Sequence, residues 1–184
     1  MSILLKPNNI KNIQYLTFTA AISVAKSIKK LTNINTKIKW PNDVHYNRKK
    51  LCGILTEGIF GKENYVAVGI GLNVNQEKFS DEIKNIATSL KIIKKKNIGI
   101  KKLAKNIIDE FFSIYNNQYN KNNIKNILTT WNKYCDTINK HVIVVSKNKK
   151  TYGKAIGVDE NCNLILKSKN KIIKITEGDI NVRY

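Results

Sequence analysis

The stretch Lys39-Trp40-Pro41-Asn42-Asp43 decides how this sequence is interpreted. The alternating residues 37–38 precede it and predict the end of a β-strand. Pro41 has no backbone N–H to donate, so the strand must stop there, and the Asn-Asp pair that follows favours a turn because both side chains can bond the local backbone. The sequence therefore predicts one lysine, Lys39, presented rigidly at a strand end beside the indole of Trp40.

A lysine at a strand end is a candidate ligand-binding group. Open α/β sheets bind ligands at the ends of their strands, and a lysine there is a compact positive charge that suits a carboxylate or a phosphate. The alternative interpretation is a hydrated lysine next to a core tryptophan. Two later stretches favour the binding interpretation: Lys50-Leu51-Cys52-Gly53-Ile54-Leu55-Thr56-Glu57 and Val68-Gly69-Ile70-Gly71-Leu72-Asn73-Val74-Asn75.

In this order and spacing, K-W-P-N-D, K-L-x-G-I-L-x-E and G-I-G-x-N-V-N resemble the catalytic domain of biotin protein ligases. The resemblance implies a two-step reaction. Biotin and ATP first give biotinyl-5′-AMP and pyrophosphate, and the biotinyl group then passes to a lysine of biotin carboxyl carrier protein. ATP and biotin are then the substrates, with Mg²⁺ accompanying the ATP.

Five residues are candidates for this chemistry. Lys39 is the predicted catalytic residue, because a fixed cation between the biotin carboxylate and the α-phosphate removes the repulsion between two anions. Gly53, Gly69 and Gly71 carry no side chain, so ligand can lie directly against their strands; a bulge or tight packing would equally explain each glycine. Asn73 offers a donor and an acceptor for phosphate or ribose. No metal-ligating set is predicted.

Composition limits the class of protein. A chain of 184 residues with 42% hydrophobic residues can bury a core. It contains no apolar run of the ~18 residues that a membrane span needs, and its N-terminus does not have the pattern of a signal peptide. Three cysteines stand far apart with no C-x-x-C pair, which argues against zinc and against a disulfide framework. We therefore expect a cytoplasmic protein in a reducing compartment, without a membrane partner.

The net charge of +20 would ordinarily indicate nucleic-acid binding. However, Arg48 and Arg183 are the only arginines in the sequence, and the lysines are scattered along the chain rather than concentrated in one stripe. Arginine is the residue best suited to bidentate base recognition. We therefore expect no sequence-specific DNA binding, although weak and salt-sensitive binding to polyanions is expected.

Periodicity predicts an α/β (α+β) protein with a mixed sheet and helices. The predicted helices cover 11–31, 103–115 and 124–134, and the predicted strands of the first part cover 2–5, 36–40, 44–46, 51–59 and 65–74. The strand at 2–5 is a remnant with no obvious neighbour. Together with these elements, the resemblance implies that residues 1–137 form a partial catalytic domain of the biotin/lipoate-ligase type.

The period changes near residue 138, where short strands follow one another at 142–146, 152–158, 164–167 and 172–175. Residues 138–184 therefore predict a small β-barrel, and they resemble the SH3-like domain that follows the catalytic domain in biotin protein ligases. That family usually has glycine where this chain has Cys162. If the turn needs a positive φ, we expect Asn161 to adopt it instead of Cys162.

The resemblance lacks one part of the family's catalytic domain, the upstream Gly/Arg-rich loop that closes over the ligand. We therefore expect a half-site that another segment must complete and an exposed sheet edge. For the isolated chain this edge predicts one of three outcomes: aggregation, self-association such as a homodimer through that edge, or marginal stability. Two alternatives remain open. One is a non-catalytic remnant that binds biotin or the carrier, and the other is a basic nucleic-acid-binding module.

Overall fold

The computed structural model describes residues 1–7, 10–146, 149–169, 171–176 and 178–183. The helices are α1 (Gln14–Thr32), α2 (Leu90–Lys94), α3 (Ile100–Ile114) and α4 (Ile124–Tyr134), with a π-helical segment at Tyr115–Tyr119. The strands are β1 (Ser2–Leu5), β2 (Lys37–Lys39), β3 (Asp43–Tyr46), β4 (Lys49–Ile59), β5 (Tyr65–Leu72), β6 (His141–Ser146), β7 (Lys149–Val158), β8 (Leu164–Ser168), β9 (Lys171–Ile175) and β10 (Asp179–Arg183). Helices and two sheets together confirm the predicted α+β class.

The first sheet has the strand order β1-β5-β4-β3-β2. Every described strand pair in it is antiparallel, so the expected mixed sheet is corrected; parallel pairing is limited to isolated bridges such as Lys50 with Ala87. Short turns join β2, β3, β4 and β5, and such turns can connect only antiparallel neighbours. β1 is also not without a neighbour, as expected from the sequence, because it pairs with β5 and places Ser2 opposite Gly69.

One face of the first sheet is covered by α1. This helix lies between the sheet and the pair α3 and α4, so most of its residues are buried. Its alanines and small polar residues allow close approach on several sides, and Phe18 stacks on Trp131 with ring centroids 4.2 Å apart. Asn33 ends the helix in the left-handed conformation and donates its N–H to Lys29 O. Among the described residues, no helix combines the length and apolar character that crossing a bilayer would demand.

The opposite face of the sheet is open. On β5, Val66 and Val68 point to the core and are fully buried, and strand alternation turns Gly69 to the other side. Leu4 on β1 and Leu55 on β4 lie on this open face with 70% and 59% of their surface exposed. The glycines singled out in the sequence therefore belong to an uncovered face of the sheet, bordered by apolar side chains.

The second sheet has the order β10-β6-β7-β8-β9, again with antiparallel pairs throughout the described strands. The sequence pattern does not predict β10, which pairs with β6, a strand more than thirty residues earlier in the chain. No pairing joins β9 to β10 in the described part of the chain, so the predicted SH3-like barrel is represented here by an open five-stranded sheet. The domain boundary near residue 138 stays a prediction.

A turn between β7 and β8 contacts the first sheet. Cys162 itself adopts the left-handed conformation with φ 63°, so the expectation that Asn161 would do so is wrong. The reason lies in the hydrogen bonds of the turn. The carboxylate of Asp159 accepts the backbone N–H of Asn161 and Asn163. Cys162 then directs its carbonyl toward the first sheet, where it accepts the indole N–H of Trp40 at 2.8 Å.

Further contacts hold Trp40 between the two sheets. Its backbone N–H donates to the hydroxyl of Thr137 at 3.0 Å, and Thr137 is fully buried. Nearby, the backbone N–H of Asp136 donates to Ile38 O at 2.8 Å, and the phenol of Tyr15 on α1 donates to Glu160 O at 3.0 Å. The turn that begins at Trp40 is thus positioned by residues more than ninety positions later in the chain.

Replacing Thr137 by valine tests this anchor. Thr137→Val keeps the shape of the side chain but leaves the buried N–H of Trp40 without an acceptor, so we expect a loss of about 1–3 kcal/mol in the free energy of unfolding. The measurement is the midpoint of urea unfolding. Thr129→Val, at an exposed position of α4, is the matched control and should change the midpoint little. Equal effects of the two substitutions would contradict the anchoring role of Thr137.

Candidate functional site

The open face of the first sheet carries a row of four residues in register. Lys39 on β2 is opposite Asp43 on β3, Asp43 is opposite Gly53 on β4, and Gly53 is opposite Gly71 on β5. Directly opposed residues of neighbouring antiparallel strands project from the same face. The row therefore runs from a cation, through an anion, to a bare stretch of backbone.

Packing against the described residues does not explain the two glycines of β5. A Cβ added at Gly71 would contact only Gly53 O, at 3.6 Å, and one added at Gly69 would lie 3.5 Å from Leu55 O. Both are ordinary van der Waals distances, so an alanine would fit at either position. Gly53 is different, because an added Cβ would lie 3.1 Å from Cε of Lys50. The absence of a side chain at Gly53 lets Lys50 lie across the strand.

Two concavities meet on this face. The first has a volume of about 470 Å³ and is lined by Met1, Ser2, Asn42, Lys50, Gly53, Ile54, Leu55, Gly69, Ile70 and Gly71. The second has a volume of about 260 Å³ and is lined by Lys50, Cys52, Gly53, Gly71, Asn73, Phe79, Ile83, Ile86 and Ala87. Lys50, Gly53 and Gly71 belong to both, so a single lysine stands where the two spaces join.

Lys50 is paired with Asp43 at this junction. Its Nζ lies 2.6 Å from Oδ1 of Asp43, with about half of the lysine side chain exposed and most of the aspartate side chain enclosed. At this distance the ammonium group and the carboxylate form an ion pair. Burial acts to raise the pKa of Asp43, but His45 and Lys50 outweigh it and hold that pKa below its ordinary value.

A β-bulge places Lys50 beside Asp43. The register between β3 and β4 shifts after Val44, so that His45 faces Lys50 and Leu51 becomes the extra residue. Bulges re-aim side chains next to functional sites. The backbone N–H of Lys50 donates to Ile86 O at 2.7 Å, which fixes the strand where the shift occurs.

Asparagines brace the two ends of the site. The side-chain amide of Asn42 donates to Ile54 O at 2.7 Å, and the backbone carbonyl of Asn42 accepts the N–H of Ile54 at 3.0 Å. These two hydrogen bonds fix the turn to β4. Asn73 donates its side-chain N–H to Thr88 O at 3.1 Å. No described residue donates to Oδ1 of Asn73, which therefore offers an acceptor to the second concavity. Burial raises the pKa of the Cys52 thiol to about 12, so this thiol is uncharged near neutral pH.

The candidate residues from the sequence are only partly brought together. Gly53, Gly71 and Asn73 line the second concavity and Gly69 lines the first, whereas Lys39 lines neither. The structure instead places Lys50 in the wall of both concavities, a residue that the sequence analysis did not propose for the site. A signal was present, because Lys50 precedes Gly53 by three residues within one quoted motif. What was missing was the bulge that turns its side chain toward Asp43.

The chain is similar to known proteins in sequence and in fold. The family model described as "Biotin/lipoate A/B protein ligase family" matches residues 2–75, and the one described as "Biotin protein ligase C terminal domain" matches residues 137–183. The protein named "Bifunctional ligase/repressor BirA" from Bacillus spizizenii is 36% identical over 185 residues, which cover 98% of this chain. The chain belongs to the biotin protein ligase family.

This family member spans about half the length of the curated relatives it matches. The alignment covers 57% of the Bacillus spizizenii protein; with the protein of the same name from Escherichia coli it is 25% identical and covers 91% of this chain and 53% of that one. Among solved structures, the biotin protein ligase from Aquifex aeolicus in complex with biotin and ATP superposes with a TM-score of 0.86 at 27% identity, over 99% of this chain and 76% of that one.

The ion pair of Asp43 predicts a specific pH dependence of stability. A carboxyl whose pKa is lower in the folded than in the unfolded state stabilises the fold above its unfolded pKa of about 3.9, and this stabilisation is lost as the pH falls through the folded value. Asp43→Asn should therefore lower the urea midpoint at pH 6, and the gap to the unmodified protein should narrow below about pH 4.

Asp81→Asn is the control for this comparison, because Asp81 is also paired with a lysine but its side chain is 93% exposed. It should shift the midpoint little at either pH, since exposed ion pairs contribute weakly. A gap for Asp43→Asn that stays constant down to pH 3 would contradict the ionised pair.

Proposed function

We propose that this protein is a biotin–protein ligase. It forms biotinyl-5′-AMP from biotin and ATP and transfers the biotinyl group to a lysine of a biotin carboxyl carrier protein. The proposal rests on one observation: two concavities meet at a single cation, Lys50, on a face of the sheet where Gly53 and Gly71 carry no side chain. Family membership and the similarity to an enzyme solved with biotin and ATP support it.

The geometry suits the first step because this step joins two anions. An oxygen of the biotin carboxylate attacks the α-phosphorus of ATP, the bond to the β-phosphate oxygen breaks, and pyrophosphate leaves with the bond electrons. The two reactants must approach within reacting distance, and a fixed ammonium group between them stabilises the charge that grows in the transition state. Among the residues that line both concavities, Lys50 is the one with a charged side chain.

The two concavities differ in ways that favour one assignment. We propose that biotin occupies the first, where the strands carrying Gly69 and Gly71 present a flat backbone surface beside Leu55. We propose that the nucleotide occupies the second, where Phe79 and neighbouring apolar side chains suit a base and Oδ1 of Asn73 suits a ribose hydroxyl. Mg²⁺ would enter with the phosphates of ATP as part of that substrate.

The second step transfers an acyl group. The amine of the carrier lysine attacks the mixed-anhydride carbonyl, AMP leaves with the electrons of the C–O bond, and the nitrogen loses a proton. The product is an amide. Because the first concavity is shallow and opens onto solvent, a carrier lysine could reach the carbonyl from the same open face.

A protein that binds biotin or the carrier without catalysis is the second candidate, because this chain matches only 57% of the length of the Bacillus relative. Two measurements on the full chain separate the candidates. Calorimetry with biotin and with ATP measures binding, and release of pyrophosphate with both substrates present measures adenylation. Pyrophosphate release supports the ligase. Binding without release favours the second candidate, and the absence of both would refute the proposal.

Lys50 and Lys39 are the two candidates for the cation at the junction of the two concavities. Lys39, the residue predicted from the sequence, lies on the far side of Asp43 in the cross-strand row, whereas Lys50 lines both concavities. We therefore expect Lys50→Met to reduce the rate of adenylation by a factor of about 10²–10³ while the fold is kept. Lys50→Arg should fail as well, because the planar guanidinium cannot occupy the same point.

Lys39→Met is the matched control for this substitution, measured by biotin-dependent pyrophosphate release or, if turnover is slow, by calorimetric titration with biotin. We expect it to retain most of the function. If Lys39→Met is the variant that loses adenylation while Lys50→Met is normal, the junction cation is Lys39, as the sequence predicted.

Gly71 provides a test of ligand approach. An added Cβ would contact Gly53 O at an ordinary distance, and alanine costs less backbone entropy than glycine, so Gly71→Ala should leave the unfolding midpoint unchanged or slightly raised. The same methyl group would occupy the space for both substrates and should weaken biotin binding at least about tenfold. Gly61→Ala, in an open turn, is the control. Unchanged biotin affinity in Gly71→Ala would exclude ligand from this surface.

A further inference from the structure

His45 is a titratable side chain beside the junction that the proposed reaction does not use. Its side chain is largely enclosed, with 14% of its surface exposed, and its Nε2 lies 3.7 Å from Oδ2 of Asp43. This separation exceeds a hydrogen bond, and Nε2 has no hydrogen-bond partner among the described residues. A ring nitrogen is therefore held close to the free side of the carboxylate that pairs with Lys50.

The groups around His45 form a small charged cluster. On one side β2 places Lys37 directly opposite His45, and on the other side β4 places Lys50 directly opposite it. Asp43 is two residues earlier on the same strand, and Lys39 lies opposite Asp43. Asp43 is the one carboxylate of this described cluster, so its single negative charge faces several cations.

The two oxygens of Asp43 face different neighbours. Oδ1 is 2.6 Å from Nζ of Lys50, and Oδ2 is directed toward Nε2 of His45. With a neutral imidazole, the negative charge of Asp43 is available mainly to Lys50. With an imidazolium, which requires less than an ångström of closure to donate to Oδ2, the same charge is shared between two cations. The ammonium group of Lys50 is then less fully neutralised.

An anion arriving at Lys50 would have the complementary effect. If Lys50 turns from Asp43 to a carboxylate or phosphate, Asp43 is left to pair with the imidazolium. Proton binding at His45 and anion binding at Lys50 would then favour one another, and this coupling must act equally in both directions. Histidine is the side chain whose charge ordinarily changes between pH 5 and 8, so the coupling would operate near physiological pH.

We infer that His45 is a positioning residue that competes with Lys50 for Asp43, so that protonation of His45 releases Lys50 to the anionic groups of the substrates. Where it concerns substrates, this inference rests on the proposed function. The competition itself is a property of the three side chains and can be tested without any ligand.

The first experiment follows the imidazole resonances of the full chain by NMR while the pH is varied. The sequence has two histidines, and His141, exposed on β6, serves as an internal reference. Asp43→Asn should lower the midpoint pH of His45, because the neighbouring anion is lost. Lys50→Met should raise it, because the cation that competes with the imidazolium for Asp43 at 2.6 Å is removed. His141 should not move in either variant. A His45 midpoint that is unchanged in both variants would overturn the inference.

The second experiment measures biotin affinity by calorimetry at pH 6 and pH 8. Biotin is the probe because its carboxyl, like other aliphatic carboxyls, remains ionised across this range, so a pH effect must come from the protein. We expect binding to be at least about fivefold tighter at pH 6. His45→Gln should bring the ratio of the two affinities close to one, whereas His141→Gln should retain the ratio of the unmodified protein.

The two experiments separate the inference from the proposed function. If biotin binds and its pH dependence is the same in His45→Gln as in the unmodified protein, His45 does not control Lys50, and the ligase proposal stands. If biotin does not bind at all, the ligase proposal falls, and the NMR titration alone decides whether Asp43 is shared. The NMR spectrum of each variant also shows whether it is folded. If His45→Gln does not fold, the NMR titrations of Asp43→Asn and Lys50→Met still decide the inference.

Discussion

The rest of the site depends on the pair of hydrogen bonds between Asn42 and Ile54. Two hydrogen bonds, one through the side chain of Asn42 and one through its carbonyl, fix the turn before β3 against the middle of β4. Because the register of an antiparallel pair is set where the pair is pinned, these bonds determine that Asp43 faces Gly53. A slip of one residue would turn Asp43 toward the core and remove the anion that holds Lys50.

The second sheet supports the same turn from the opposite direction. Trp40 cannot shift without breaking its bond to Cys162 O or leaving its buried N–H without Thr137. The turn that carries Cys162 is itself closed by Asp159, whose carboxylate accepts backbone N–H groups and also pairs with Lys174 at 3.1 Å. The chain thus accepts a left-handed cysteine, at a cost of about 1 kcal/mol, where it delivers a carbonyl to the indole. The C-terminal sheet is therefore part of the scaffold of the site.

The electrostatics of the site are local and do not follow from the net charge of +20. Many lysines lie on exposed surfaces, where solvent and salt weaken their fields. Lys50 differs because it is held over Gly53 by an enclosed carboxylate, so its position, rather than its charge alone, sets it apart from the other lysines. His45 adds an enclosed imidazole whose Nε2 lies 3.7 Å from the same carboxylate. A basic composition and the anion site proposed at Lys50 are thus separate features of the same chain.

The amino-acid sequence by itself determined the helices, most of the strands, the family and the glycine-lined face. These features depend on short-range periodicity and on residues such as Pro41, Gly53 and Gly71, whose backbone properties act locally. The sequence also predicted that Asn42 and Asp43 favour a turn; the structure adds that Asn42 is bonded to Ile54 and that Asp43 is paired with Lys50.

Only the tertiary structure decided which lysine stands at the junction. Lys39 and Lys50 are both strand lysines within recognisable motifs, and nothing in their local sequence ranks one above the other. The choice follows from a one-residue bulge between β3 and β4 and from the pairing of Lys50 with the segment near Ile86, contacts that form only when distant strands meet. The neighbour of β1 and the pairing of β10 were decided in the same way, because their hydrogen bonds join residues far apart in the chain, which local propensity cannot specify. The left-handed conformation of Cys162 is set within its own turn, where the carboxylate of Asp159 accepts the N–H groups of Asn161 and Asn163.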